Sequence, residues 1–270
     1  MSAGSGSYGA DGARAVESET DRLRRQAAAI WGREREALLR VGLQPGQRVL
    51  DVGCGPGGVL ALLARELGRA PFGVDLNQEL LRNAKPAGQV ARADGAALPF
   101  PDETFDFVLF RLVLRHTPAR ETLLAEAARV VRTGGVVCAV DVDEAALAFD
   151  PEPPSWPALK AALGASATRR GGDPFVGRRL RRLMVEAGLV APITVALPVT
   201  TDDVAPRGFI ETFLAPRARV IDPDLLDGAS AQAAWAELSD WASRESGFGY
   251  ALGLMAGARK PDGWARRAGT

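Results

Sequence analysis

The sequence predicts an α/β, doubly wound, mostly parallel sheet of seven strands that carries helical lid insertions. Three observations lead there. "QRVLDV" runs into the glycine-rich turn "GCGPGG" and then the helix-forming "VLALLAREL", a complete strand–turn–helix unit. Strand-like runs go on alternating with helix-like segments to residue 143, a pattern that calls for right-handed crossovers and a parallel sheet. Two further strands, "ITVALPV" and "GYALGLMAGARKP", come only after interruptions at 145–172 and 199–246, which read as lids over the strand ends.

Taken in order, residues 1–17 are rich in Gly, Ser and Ala without a sustained period and read as a mobile tail. Residues 18–44 read as an N-terminal cap helix, because from Thr20 onward Leu23, Ala27, Ile30, Trp31 and Leu38 fall on one stripe that stops near Gly42. The core, 45–144, opens with the strand that ends at Asp51, then the turn holding Gly53, Cys54, Gly55 and Gly58, and a helix closed by Gly68. "PFGVD" ends a second strand on Asp75, and "NQELLRNAK" is a helix stopped by Pro86. "GQVARA" and "FDFVLF" are the next strands, followed by a helix with Thr117 as cap and Pro118 in its first position, then the strand "GGVVCAVDVD". Pro151, Pro153, Pro154 and Pro157 mark 145–172 as irregular. In the rest of the core, 173–260, Asp173 caps a helix with Val176, Leu180, Leu183, Met184 and Ala187 inward, and 261–270 is a C-terminal tail.

Composition removes several classes of function. Lys plus Arg and Asp plus Glu both number 33 in 270 residues, so the basic excess that favours phosphate backbones is missing and nucleic acid is not an expected partner. No uninterrupted apolar run is long enough to cross a bilayer. Cys54 and Cys138 sit in a glycine turn and an apolar run, and the start lacks a secretory pattern, so a reducing cytoplasm is expected. A single histidine, His116, excludes a multi-histidine metal centre. In "RRGGDPFVGRRLRR", the one concentrated basic run, Arg178, Arg179 and Arg182 fall off the apolar stripe and read as a solvated face.

Gly53, Gly55 and Gly58 formally satisfy the dinucleotide pattern G-x-G-x-x-G. An acid two positions ahead of the first glycine would oppose a pyrophosphate at the helix N-terminus, so Asp51 argues for a cationic ligand instead. "VLDVGCGPGG", Asp75 at the end of the second strand, and "RADGAALPFPDETFDFVLFRLVLRH" together resemble the class I S-adenosylmethionine-dependent methyltransferases, in particular the small-molecule branch similar to ubiquinone and menaquinone biosynthesis methyltransferases. The likeness covers 45–144 by motif and extends to 260 by element order. It implies a Rossmann-like sheet with an antiparallel last strand, and S-adenosylmethionine as cofactor with S-adenosylhomocysteine as product. On the matching positions, Asp51 would lie near the ammonium group, and Gly53, Cys54 and Gly55 would let backbone approach the nucleoside. Asp75 would take the ribose hydroxyls, Leu76 would flank the adenine, Asp94 would accept its amino group between Ala93 and Gly95, and the backbone near Arg111 would face the methionine end.

The expected activity is methyl transfer to O, N or C of a small organic metabolite, secondary metabolites included. His116, after the fourth strand, is the base candidate, with packing or hydrogen bonding as its other role; Asp141 and Asp143 are alternatives that otherwise read as a solvated pair or a cap. Gln26 and Trp31 on the cap helix and Arg115 are the candidate substrate contacts, although Trp31 reads equally as core. No metal is expected, since "FRLVLRH" lacks the carboxylate that metal-dependent catechol-type methyltransferases carry there. Other readings are cyclisation or elimination with the cofactor bound but not consumed, a nicotinamide-dependent oxidoreductase, and a noncatalytic RNA-binding member of the fold. The accepting molecule and the oligomeric state are not legible.

Overall fold

The computed structural model describes residues 13–84, 88–215 and 221–265. Residues 1–12 and 266–270 of the two expected tails, Pro86, and part of the second lid at 216–220 lie outside the described residues. Seven strands form one sheet in the order β3-β2-β1-β4-β5-β7-β6. They are β1 Val49–Val52, β2 Phe72–Asp75, β3 Gln89–Arg92, β4 Phe105–Arg111, β5 Val131–Asp150, β6 Val190–Thr200 and β7 Phe248–Arg259. β1 to β5 pair parallel, and β7 runs antiparallel to both β5 and β6, so the expected direction of the last strand holds.

The central strands are apolar on both faces because helices cover both faces. On one face Leu50, Val52, Val108, Phe110, Val137 and Ala139 pack against α4 (Arg120–Val130) and α6 (Val176–Glu186). The alternate residues Val49, Phe107, Leu109, Val136, Cys138 and Val140 pack against α1 (Ala13–Val41) and α2 (Gly58–Leu67). Phe107 and Phe110 are fully enclosed, and such burial stabilises by about 1.5–3 kcal/mol per side chain. Beside α2, the short α3 (Gln78–Ala84) closes a small cluster of Cys54, Leu60, Leu81 and Ala84 under the glycine turn.

Several boundaries depart from the sequence reading, among them the start of α6, which has Phe175 at its cap position while the expected cap Asp173 accepts from the Phe175 amide ahead of the helix. α1 is helical from Ala13, so part of the expected tail belongs to the helix. α4 starts at Arg120, because the Thr117 hydroxyl accepts from the Ala119 amide at 3.1 Å and makes a local turn after a single 3₁₀ turn at Leu114–His116. β5 does not stop at Asp143: after an irregularity between Asp143 and Ala148 it pairs with β7 again, Ala148 opposite Tyr250 and Asp150 opposite Phe248. That extension sends Leu147 and Phe149 into a second core.

This second core is where the two expected lids meet. α5 (Trp156–Arg169) comes from the first; α7 (Thr201–Val204), α8 (Pro206–Phe209) with its continuing π-turn Ile210–Leu214, and α9 (Gly228–Trp241) come from the other. Phe149 stands edge-on to Trp156 and Trp241, with ring centroids 4.8 Å and 4.7 Å away, and to Phe209 at 6.2 Å. Ile30 of α1 packs on the same cluster, so the N-terminal helix bridges the sheet and the cap. Among the described residues no helix is long and apolar enough to cross a membrane.

Candidate active site

Open parallel sheets bind ligands at the carboxyl ends of their strands, where the chain reverses its winding, and here that edge lies at the tips of β1 and β4. Asp51 and Arg111 point to the same face of the sheet as Val49 and Leu109, the face that α1 and α2 cover. Asp51 is 2% exposed, and its Oδ1 has no hydrogen-bond partner. Burial pushes its carboxyl up to about 7; Arg111 opposes that shift, while Asp75 and Glu34 add to it. Arg111 Nε donates to both carboxylate oxygens of Glu34 at 3.0 Å, with side chains 8% and 3% exposed, and its Nη2 is buried without a partner. Two unpaired polar atoms of opposite character therefore meet one buried region. Native interiors rarely leave such atoms unsatisfied without a use for them.

The glycine turn is shaped by its neighbours. Gly53 has φ +79°, and a side chain there would put Cβ 2.4 Å from Val113 Cγ2. Gly55 is left-handed as well, with open space where a Cβ would stand. The amides of Gly53 and Cys54 both donate to the Val74 carbonyl, which fastens the turn to β2. The Cys54 thiol faces down into the cluster with Leu60 and Leu81, and burial, helped by Asp51 and Asp75, raises its pKa, so it is a support under the turn and no nucleophile. Asp75 accepts from the Gly55 amide and the Asn77 amide, each at 2.8 Å. A carboxylate has about four acceptor positions, which leaves capacity for hydroxyl groups. Next to it Leu76 is 59% exposed, unusual for a leucine beside a strand tip. At the tip of β3, Asp94 is exposed, with Oδ1 accepting from the Ala96 amide at 2.9 Å; Ala93 is half-buried, and Gly95 lies so close to Val52 that a Cβ would be 2.9 Å from it. A separate groove of about 310 Å³, lined by Arg24, Pro56, Arg65 and Asn83, runs along the outside of this turn, and none of the three acids lines it.

The tip of β5 is organised differently. Asp141 is 1% exposed, its Oδ2 accepts from the Arg115 amide at 3.0 Å, its Oδ1 from the Val142 amide at 2.9 Å, and burial raises its pKa to about 6. Asp141 therefore anchors the 3₁₀ turn that presents exposed His116 at the sheet edge. The guanidinium of Arg115 is ion-paired with Glu144 in the interior, which corrects its expected place at the ligand mouth. Asp143 is buried and pairs with Arg178, which corrects the expected solvated acid pair, while Arg178, Arg179 and Arg182 stay exposed along α6 as expected of a solvated face, Arg179 pairing with Asp173. Arg182 pairs along its own helix with Glu186.

On α1, Gln26 is buried and Trp31 is half-buried against the main core beside Leu62 and Val195, which favours the packing role for Trp31. Glu34 and Glu144 were not singled out from the sequence. For Glu34 a signal existed: it lies three positions after Trp31 and four before Leu38, on the buried stripe, where a lone charge needs a partner. Among the described residues, no group of three or more His, Cys, Asp or Glu side chains is arranged to hold a metal ion.

Residues 50–139 match the family model described as Methyltransferase domain. With the strand order and the acid-tipped glycine turn, this makes the core similar to class I S-adenosylmethionine-dependent methyltransferase domains. Among curated proteins it resembles demethylmenaquinone methyltransferases. It is 32% identical over 121 residues to a demethylmenaquinone methyltransferase of Lysinibacillus sphaericus, covering 42% of this chain and 52% of the relative. It is also 32% identical over 203 residues to an uncharacterised 37.1 kDa protein of transposon Tn4556 from Streptomyces fradiae, covering 69% of this chain and 56% of that protein. The chain thus spans about half the length of the curated relatives it matches. In structure it is similar to a phosphoethanolamine N-methyltransferase of Haemonchus contortus solved with phosphomonomethylethanolamine and S-adenosylhomocysteine, at TM-score 0.56 and 20% identity, over 90% of this chain and 57% of that one.

Proposed function

We propose that this protein transfers the methyl group of S-adenosylmethionine to an oxygen, nitrogen or carbon atom of a small organic molecule. The observation that carries the reading is the buried, unpaired Asp51 Oδ1 beside the left-handed Gly53 turn, within a domain that matches methyltransferases. A cationic ammonium group satisfies that oxygen, whereas a pyrophosphate would be repelled by it. Asp75 has acceptor capacity for the two ribose hydroxyls, Leu76 offers an exposed apolar surface to the adenine, and Asp94, with Ala93 and Gly95, stands where its amino group would lie. The backbone at Arg111 bounds the methionine end.

When bound, the cofactor supplies an electrophilic methyl group, so the protein's main task is to hold a nucleophile in line and keep water out. The cap formed by α5 and α7 to α9 provides a rigid aromatic frame for the acceptor, braced to the sheet through α1. His116, on the turn that Asp141 fixes, would take the proton of a hydroxyl acceptor. Quinol-like and amine acceptors, the classes named for the relatives, are the first substrates to try.

Incubation with methyl-labelled S-adenosylmethionine and a panel of phenolic, quinol and amine metabolites tests this. The expected result is label in a small-molecule product, with one S-adenosylhomocysteine formed per product. Turnover without S-adenosylhomocysteine would assign the protein to cyclisation or elimination instead, and no binding of either cofactor form would overturn the reading.

A further inference from the structure

Buried Arg–carboxylate pairs are common structural devices, and the Glu34–Arg111 pair departs from that pattern in one respect. Glu34 engages Arg111 only through Nε, and Nη2 is left buried and unpaired on the face that also holds the unpaired Asp51 Oδ1. β1 and β4 are adjacent, with Asp51 opposite Leu109, so Arg111 stands one same-face step further toward the strand tip. A cation alone would satisfy Asp51 and leave Nη2 orphaned, and an anion alone would do the reverse. A zwitterion such as an α-amino acid end satisfies both, because its ammonium and carboxylate are joined through one carbon.

From this arrangement we infer that Glu34 is a positioning residue, which aims the Arg111 guanidinium at the carboxylate of the cofactor's amino-acid end while Asp51 takes the ammonium. The inference rests on the methyltransferase reading and deepens it. A free arginine side chain has many rotamers, and a carboxylate gripping Nε fixes the plane of the fork before the ligand arrives, so less freedom is lost on binding. Glu34 lies on α1, which also packs against the cap. The N-terminal helix thus acts on the cofactor through Arg111, which gives α1 a role beyond covering the sheet.

Calorimetric titration with two probes provides the test: S-adenosylhomocysteine, and its decarboxylated analogue, which keeps the nucleoside, thioether and amine. Wild type should prefer S-adenosylhomocysteine by about 10–100-fold, the size of a hydrogen bond to a charged group. Glu34→Ala and Glu34→Met, which both remove the acceptor for Nε, should shrink the preference to within about threefold, chiefly by weakening S-adenosylhomocysteine and leaving the analogue's affinity nearly unchanged. A merely structural role would weaken both probes alike, and that result overturns the inference, as does a variant that keeps the full preference. If Glu34→Ala fails to fold, Glu34→Met, which fills similar volume without an acceptor for Nε, decides; its melting curve reports the fold. Wild type that binds both probes equally sinks the inference alone, whereas wild type that binds neither sinks the methyltransferase reading itself.

Discussion

Two clusters of buried charge stand at the same edge of the sheet on opposite faces, and they are completed to different degrees. On the α1–α2 face, Asp51 and Arg111 each keep an unpaired buried atom. On the α4–α6 face, at the tip of β5, Asp141 is held by two amides, Asp143 by Arg178, and Glu144 by Arg115. A buried charge without a partner is costly, so a complete network reads as structure and an incomplete one as a place left for a ligand. The same residue types thus pair with one another on one face and keep open atoms on the other.

The largest effect that sharpens this contrast should come from Glu144→Ala. It leaves the Arg115 guanidinium buried without its carboxylate, at an expected cost of about 3–5 kcal/mol of stability. Urea denaturation should show that loss, while S-adenosylhomocysteine affinity, measured where the variant is folded, stays within about threefold of wild type. Gly53→Ala should damage both properties. Its Cβ would meet Val113 at 2.4 Å with φ at +79°, for about 2–4 kcal/mol of strain and overpacking. Equal melting temperatures for Gly53→Ala and wild type would contradict the account of the turn.

Asp51→Asn should separate binding from folding: S-adenosylhomocysteine affinity should fall about 10–100-fold while stability is unchanged or improved. The pH dependence has a defined sign. Because burial raises the folded pKa of Asp51 from 3.8 to about 7, its contribution to stability declines as pH rises through that interval. Binding runs the other way, since an ammonium favours the ionised carboxylate. Affinity should strengthen toward pH 7 with release of a proton, seen by calorimetry in buffers of different ionisation enthalpy, and Asp51→Asn should abolish that dependence. The smallest effect belongs to the cap. Trp241 Nε1 is buried without a partner in the aromatic cluster, so Trp241→Phe should cost only the lost packing and the cavity it leaves, about 1–2 kcal/mol. A loss well beyond that cavity cost would contradict an unpartnered indole N–H.

Much of the fold is legible because strand and helix periods are local. Runs such as "QRVLDV" and "FDFVLF" need only chain-neighbour information, and every strand except β5 falls within or just beyond its expected run. The continuation of β5 to Asp150 was not legible, because the prolines after it signal a break while β7, about a hundred residues away, decides that Leu147 and Phe149 remain paired. The same holds within the site. Asp51, Asp75 and Asp94 are recognisable from their places after strand-like runs, but Arg115 looked like a ligand contact until its partner Glu144 was known. A side chain's partner is a property of packing, and sequence spacing does not encode it.

By itself, the sequence determined the alternation of strands and helices, the glycine turn, and the acids at the strand ends, because each depends on backbone conformation and hydrophobic period over a few neighbouring residues. Only the tertiary structure decided which of the buried charges are spent on one another and which stay open. It also joined two distant insertions into one aromatic cap around Phe149. Both outcomes depend on burial, and a group's burial is set by elements from across the whole chain.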